Sequence, residues 1–431
     1  MSPSKSVDPN RELDRKESEL VSLTEAITSL HAQKTEQGVL KIYKYTLMGQ
    51  LGIRAFSLTR HDGGHKEILV SHGLKKDPDQ LFSKKPQHIE FGSGESTTQK
   101  TFKGTLSIFD HINDGEFQPT ELRFIKTLTQ LCLQSIDTIR LQQIEVEQQS
   151  IQNELTIARS IQSSLLPDHD RQYDSWDIAW AHVSAKEVGG DVIDIMEDST
   201  NDRLVIMIAD GAGKGIPGAL LMSSVQALFQ YLAKRGTSVD EIAHAMNQQL
   251  LSSTPSDTFV TAAFLEVQKP SSSERGAQIT YVNAGHPAGY LIQYSDTDGS
   301  ESLKDSASLN EPFHLRSLPS SAPLLGVMEW DPKHSSQWSH TIMMAPRDSM
   351  CWVTDGVLEQ EIQKPLGVEP NSVGEERCGK WLVKVIGKSP LQATSQSIVD
   401  EFIRFYQTQV THEQADDQTL VMLKSAYSTS D

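Results

Sequence analysis

The chain has 431 residues, with 57 Asp and Glu against 39 Lys and Arg and a formal net charge of −18. This length allows two or three domains of roughly 150 residues each, and the acidic balance, with no basic patch to neutralise phosphates, argues against nucleic acid as a partner. The polar N-terminus lacks a secretory apolar core, no run approaches the ~20 apolar residues of a membrane span, and Cys132, Cys351 and Cys378 are scattered with no C-x-x-C pair, so we expect a cytoplasmic protein with neither membrane segment nor disulfide framework nor zinc ribbon.

Residues 1–35 are polar and read as a short amphipathic helix or a loose tail. From about 38 to 109, short apolar runs alternate with turn signals. In GIRAFSLTRHDGG and GTLSIFDHINDG, Asp-Gly and Gly-Gly pairs fit strand ends and hairpins. Over 119–141 the apolar positions 125, 128, 132, 136 and 139 follow helical spacing, with Pro119, Thr120 and Glu121 as the start signal. A strand-rich unit closed by a long helix is therefore expected over 36–140. The helical pattern continues through 141–167, where Ile144, Ile151, Ala158 and Leu165 stand seven apart. The companion seam, Leu141, Gln148, Leu155 and Gln162, is half polar, and Pro167 ends the pattern. Two readings of this stretch stay open: an amphipathic helix packed on its own domain, or a parallel dimer helix joining two domains. We favour the second.

From 176 onward, WDIAWAHVS, RLVIMIA, TFVTAAFLEV, AQITYVNAG, YLIQY and SMCWVTD read as strands, rich in β-branched and aromatic residues. GALLMSSVQALFQYLAKRG, VDEIAHAMNQQLLSS and QATSQSIVDEFIRFYQTQ read as helices, the first closed by Gly236. TFVTAAFLEV and AQITYVNAG form a hairpin with a long polar tip, and 295–312 is a Ser/Asp-rich loop. Strands run together and helices follow in pairs, which points to an α+β sandwich with antiparallel sheets over 168–427.

The stretch IADGAGKGIP (208–217) resembles a phosphate loop, but Lys214 is followed by Gly215 where a Walker loop needs Ser or Thr. Nor do Gly211, Gly213 and Gly215 supply the dinucleotide fingerprint. The informative residue is Asp210, where an apolar strand meets the glycine loop. Asp355 in WVTDG, Asp416 and Asp417 in ADDQTLVML, and Asp191 in VGGDVID repeat that placement at other strand ends. Singly, such aspartates are turn residues or caps. Converging, they would repel by about 4 kcal/mol per close pair at an effective dielectric near 20. Hard cations such as Mg²⁺ or Mn²⁺ relieve that through oxygen ligands. His286 in NAGHPAG reads as a turn residue, and Trp176, Trp180 and Trp352 as core.

The ordered set ARSIQSSLLP, KEVGGDVID, IADGAGKGIPGALLM, FVTAAF, NAGHPAGYL, PLLG, WVTDGVLE and ADDQTLVML resembles the SpoIIE/RsbU branch of the metal-dependent PPM (type 2C-like) serine/threonine phosphatases, over about 155–425. The resemblance implies a sandwich of two antiparallel sheets flanked by helices, with two Mg²⁺ or Mn²⁺ ions at one edge. Carried over by motif, Asp210 would bridge the ions and the Gly211 carbonyl would complete one shell. Asp355 and Asp416 would hold the second ion, Asp191 would bind directly or through water, and Asp417 is the adjacent alternative. On this resemblance Asp210 and Asp191 would be the catalytic aspartates. Lys186 and Lys214 are the phosphate-binding candidates, since the arginine of many animal members has no equivalent. GGDVID lacks the aromatic pair usual in that motif, and DGAGKG departs from the usual D-V-S-G-K-G, yet the carboxylates are all present. That set argues against the alternative of an inactive partner-switch adaptor. The resemblance implies as substrate the one typical of this branch, a phosphorylated STAS-domain protein that is an anti-sigma-factor antagonist of bacterial partner switching. The unit over 36–140 resembles a GAF-type sensor, with a PAS-type domain or a dimerising module as alternatives, and a homodimer through 141–167 is expected.

Overall fold

A computed structural model describes residues 21, 24–62, 65–74, 86–92, 103–112, 117–168, 173, 176–198, 202–268, 276–295, 313–331, 337–363, 372–390, 392–411 and 414–425. The N-terminal tail before residue 21, the hairpin tip 269–275 and most of the Ser/Asp-rich loop (296–312) lie outside them. The chain divides into two compact units, Met1–Gln152 and Asn153–Asp431.

In the first unit, α1 (Glu36–Leu51) is capped by Thr35, whose hydroxyl accepts from the Gly38 N–H, and is closed by Gly52 at φ +64°. Here the structure departs from the strand-rich reading. Ile42, Tyr43, Tyr45 and Thr46 carry β propensity, but Val39, Tyr43 and Leu47 recur every four residues and bury one helix face. Four strands follow: β1 (Ile53–Asp62), β2 (His65–His72), β3 (Gln87–Gly92) and β4 (Lys103–His111). They form an antiparallel sheet in the order β2-β1-β4-β3. The long helix α2 (Pro119–Leu165) buries Ile125, Leu128, Cys132, Ile136 and Ile139, the positions its spacing selects, into a core with Tyr43, Phe56 and Leu106. Arg140 ties α2 to α1 and β2 through Glu36 and Glu67.

Among the described residues, the second unit takes the last turns of α2 and ten strands. One sheet pairs β12 (Ser339–Met344), β9 (Ala277–Ala284), β8 (Val260–Gln268), β7 (Arg203–Gly211) and β6 (Asp191–Asp198) in that order. The other pairs β11 (Phe313–Leu318), β10 (Gly289–Tyr294), β13 (Ser349–Val353), β14 (Gln418–Ser425) and β5 (Trp176–Val183). All these pairings are antiparallel, as the α+β reading requires.

β7 shows how one strand serves two cores. Leu204, Ile206 and Ile208 face the core between the sheets with Trp176, Trp180 and Trp352, while Val205, Met207 and Ala209 face helices α3 (Ile216–Ala233) and α4 (Val239–Ser253). On the outer face of the other sheet, α6 (Gly374–Lys388) and α7 (Ser395–Gln407) close a third core. Among the described residues, α3 is the one helix long and apolar enough by composition to cross a membrane. Its Met222, Val225, Phe229 and Ala233 are buried in the core beneath it.

Candidate functional site

The predicted aspartates come from the adjoining ends of both sheets. Asp191 opens β6 and stands opposite Asp210 at the end of β7. In the other sheet, β13 leads through Thr354 into the short helix α5 (Asp355–Glu359), and Asp416 and Asp417 precede β14, its register partner. Asp191 joins the two ends. Its Oδ2 accepts from the Thr354 hydroxyl at 2.8 Å and the Thr419 hydroxyl at 2.6 Å. Asp191 is buried, and burial, then the charge of Asp210, pushes its carboxyl well above the usual range.

Asp210 is pushed up to about 7, by burial first and then by the charges of Asp355, Asp416 and Asp417. Asp355 is raised as well, by burial and then by Glu359 and Asp416. The two adjacent aspartates part company. Asp416 directs Oδ2 at the Lys214 ammonium, 2.7 Å away, and Lys214 also donates to the Ala415 carbonyl. Asp417 turns the other way, and both its oxygens accept from backbone: Oδ1 from Ala185 N–H at 2.7 Å and Oδ2 from Gly190 N–H at 2.5 Å. It braces the loop that delivers Asp191.

The structure therefore brings together Asp191, Asp210, Gly211, Lys214, Asp355, Asp416 and Asp417. Lys186 is exposed on the β5–β6 loop, with no hydrogen bond or ion pair to this group among the described residues. His286 is buried behind the site, its Nδ1 2.9 Å from the Thr261 hydroxyl, and burial lowers it to about 3, so it is neutral.

Among the described residues, no three Asp, Glu, His or Cys side chains are gathered tightly enough to enclose an ion as they stand. The donor set nonetheless fits a hard divalent cation, being carboxylate and carbonyl oxygen without thiol or imidazole. Gly190 carries the geometric side of that fit. A Cβ placed there would sit 3.1 Å from the Gly213 carbonyl, 3.2 Å from the Gly211 carbonyl and 3.4 Å from Asp210 Oδ1. Three oxygens thus converge on a space that a side chain at this position would crowd.

Four residues of this region escape a search for ligands. Thr354 and Thr419 flank the aspartate motifs, and their hydroxyls are the signal that could have found them. Asp194, the second aspartate of GGDVID, is buried and accepts from Gln226 and Gln230 on α3. Gln162 sits in the half-polar seam, yet its carboxamide reaches the Gly189 backbone.

The family described as Stage II sporulation protein E (SpoIIE) matches residues 200–425, more than half of the 431 residues. Two proteins of Bacillus subtilis (strain 168) are similar in sequence. Phosphoserine phosphatase RsbU is 30% identical over 149 residues, 35% of this chain and 42% of RsbU. Phosphoserine phosphatase RsbP is 28% identical over 214 residues, 48% of this chain and 45% of RsbP. The chain thus spans less than half the length of either. The SiaA-PP2C domain of Pseudomonas aeruginosa superposes with a TM-score of 0.50 at 21% identity, covering 64% of this chain and 98% of that domain, which shows a PP2C-like fold. The family match takes in the strand ends that bear Asp210, Asp355 and Asp416, and the chain belongs to the SpoIIE family.

Proposed function

We propose that this chain is a metal-dependent phosphatase of phosphoserine or phosphothreonine in proteins, with Asp191, Asp210, Asp355, Asp416 and the Gly211 carbonyl as the ligands of two Mg²⁺ or Mn²⁺ ions. The observation that carries the reading is the meeting of these carboxylates at the joined ends of two sheets, where burial and mutual charge raise Asp210 to about 7. Bound divalent ions supply Lewis acidity to phosphoryl oxygens and to an attacking water. The protein's own residues do the positioning. Thr354 and Thr419 orient Asp191. Asp417 serves as a brace, its buried carboxylate accepting from the Ala185 and Gly190 backbone, and leaves the ligand role to the more exposed Asp416. Lys214, 52% exposed beside Asp416, is placed to meet a phosphate oxygen.

RsbU and RsbP are named phosphoserine phosphatases, which supports phosphoserine as the substrate. A phosphorylated STAS-fold partner, a GAF-like sensor in the first unit and a homodimer through α2 complete the proposal. The test uses the purified full chain and a phosphoserine-bearing STAS-domain protein. Phosphate release should require Mn²⁺ or Mg²⁺, stop in excess chelator and far exceed release from phosphotyrosine peptides. Turnover in chelator would sink the metal role, preference for phosphotyrosine would sink the substrate class, and binding without turnover would favour the adaptor.

A further inference from the structure

Gly189 and Gly190 precede Asp191, and two consecutive glycines are the least restrained backbone a chain can carry. A ligand placed directly after them needs an external hold. Asp417 supplies one side, accepting from Gly190 N–H, and it packs so closely that a Cβ on Gly189 would fall 2.5 Å from its Oδ2. Gly190 in turn accepts from Gly211 N–H at 3.1 Å. The other side is held by Gln162. Its Nε2 donates to the Gly189 carbonyl at 2.8 Å, and its Oε1 accepts from the Gly189 N–H at 3.0 Å. One side chain thus satisfies both polar groups of one residue, as a neighbouring strand would.

Gln162 lies in the last turn of α2, and the end of that helix is tethered again three residues on. The Leu165 carbonyl, one of those that a helix end leaves without an internal partner, accepts from Gln226 Nε2 at 2.6 Å. Gln226 also donates to Asp194, three residues after Asp191 in β6. The helix end is therefore fixed to the start of β6 at one point and to its middle, through Gln226, at another.

We infer that Gln162 is a positioning residue for the metal centre: its carboxamide sets the Gly189–Gly190 backbone, and through it the placement of Asp191 and the Asp417 brace, so that the last turn of α2 controls cation affinity. The inference rests on the metal-centre reading above and deepens it.

The test is Mn²⁺ titration of the full chain by calorimetry, with hydrogen exchange at residues 185–191 and thermal melts in chelator. Gln162→Met keeps length and apolar bulk but cannot bond the peptide. It should weaken Mn²⁺ binding about tenfold, the order expected for two ordinary hydrogen bonds, and expose the Gly189 amide to exchange. Raising Mn²⁺ should restore turnover. Gln162→Glu, which keeps an acceptor for the Gly189 N–H, should retain part of the amide protection. Exposed Ser163→Met on the same turn serves as control and should bind Mn²⁺ as wild type does. Wild-type affinity and protection in Gln162→Met would overturn the inference, as would a lowered melting temperature with unchanged affinity. A wild-type chain that binds no Mn²⁺ would remove the metal-centre reading and this inference together, whereas wild-type binding matched by Gln162→Met would remove this inference alone.

Discussion

Asp191 is held by two hydroxyls, and each of those hydroxyls has a second task. Thr354 accepts from the Thr419 N–H at 2.9 Å, and the Thr419 hydroxyl lies 2.9 Å from His182 Nδ1. Thr419→Val keeps the shape and removes a donor from a buried carboxyl. It should cost about 1–3 kcal/mol, the range for leaving a buried polar group unsatisfied, measured by urea unfolding in chelator; no measurable loss would show that Asp191 does not depend on it. Asp194 offers a pH signature. Burial raises its carboxyl despite the bonds from Gln230 and Gln226. For a raised carboxyl, the stabilising contribution is present below the unfolded value, near pH 4, and is lost as pH rises through the folded one. Asp194→Asn should therefore gain stability relative to wild type as pH rises from 4 to 7, read as the difference in urea midpoint. A difference that shrinks with pH would contradict the assignment. The aspartates that the structure brings together were legible in the sequence because each stands at a strand end beside glycine or a second aspartate. The partners of Thr354, Thr419 and Asp194 were not, because they lie 32 to 228 residues away in the chain.

At the level of elements, the strands of the second unit were readable from β-branched runs, and their packing explains why. In β7, alternate residues enter different cores, so nearly every position is apolar. Helix α1 was missed because its residues favour strands singly while its burial stripe is helical. In α2, the positions buried in the first unit matched the spacing. Further along, Ile144 and Ile151 are 51% and 50% exposed, and Leu165 is 41% exposed. Leu141, Val146, Ile157 and Ile161 are also exposed but lie off that seam. A second copy of the chain covering Ile144 and Ile151 would bury this apolar surface. One residue inserted after Gln149 rotates the downstream helix by about 100°, and seven restore the heptad face. Sedimentation should find a dimer in the wild type, a weakened dimer with one residue inserted and recovery with seven. A monomeric wild type, or equal dimerisation in both insertions, would remove the dimer helix while leaving the metal centre untouched.

Taken as a molecule, the second unit is a sandwich whose two sheets meet at an end crowded with carboxylates, in a chain already at net charge −18. Such a site works against the fold, because buried like charges raise one another's free energy, and cations bound there as proposed would relieve that cost. Function and stability should then pull apart at Asp210, which faces the charges of Asp355, Asp416 and Asp417. The most direct measurement is a set of thermal melts of wild type and Asp210→Asn, each in chelator and in Mn²⁺, with phosphate release recorded alongside. Wild type should melt higher in Mn²⁺, by the equivalent of about 2.7 kcal/mol at a hundredfold excess over Kd. Asp210→Asn should melt higher than wild type in chelator, gain little from Mn²⁺ and lose phosphate release by roughly three orders of magnitude or more, about 4 kcal/mol of barrier. A wild type indifferent to Mn²⁺, together with an Asp210→Asn variant that is less stable in chelator and still releases phosphate, would contradict the account.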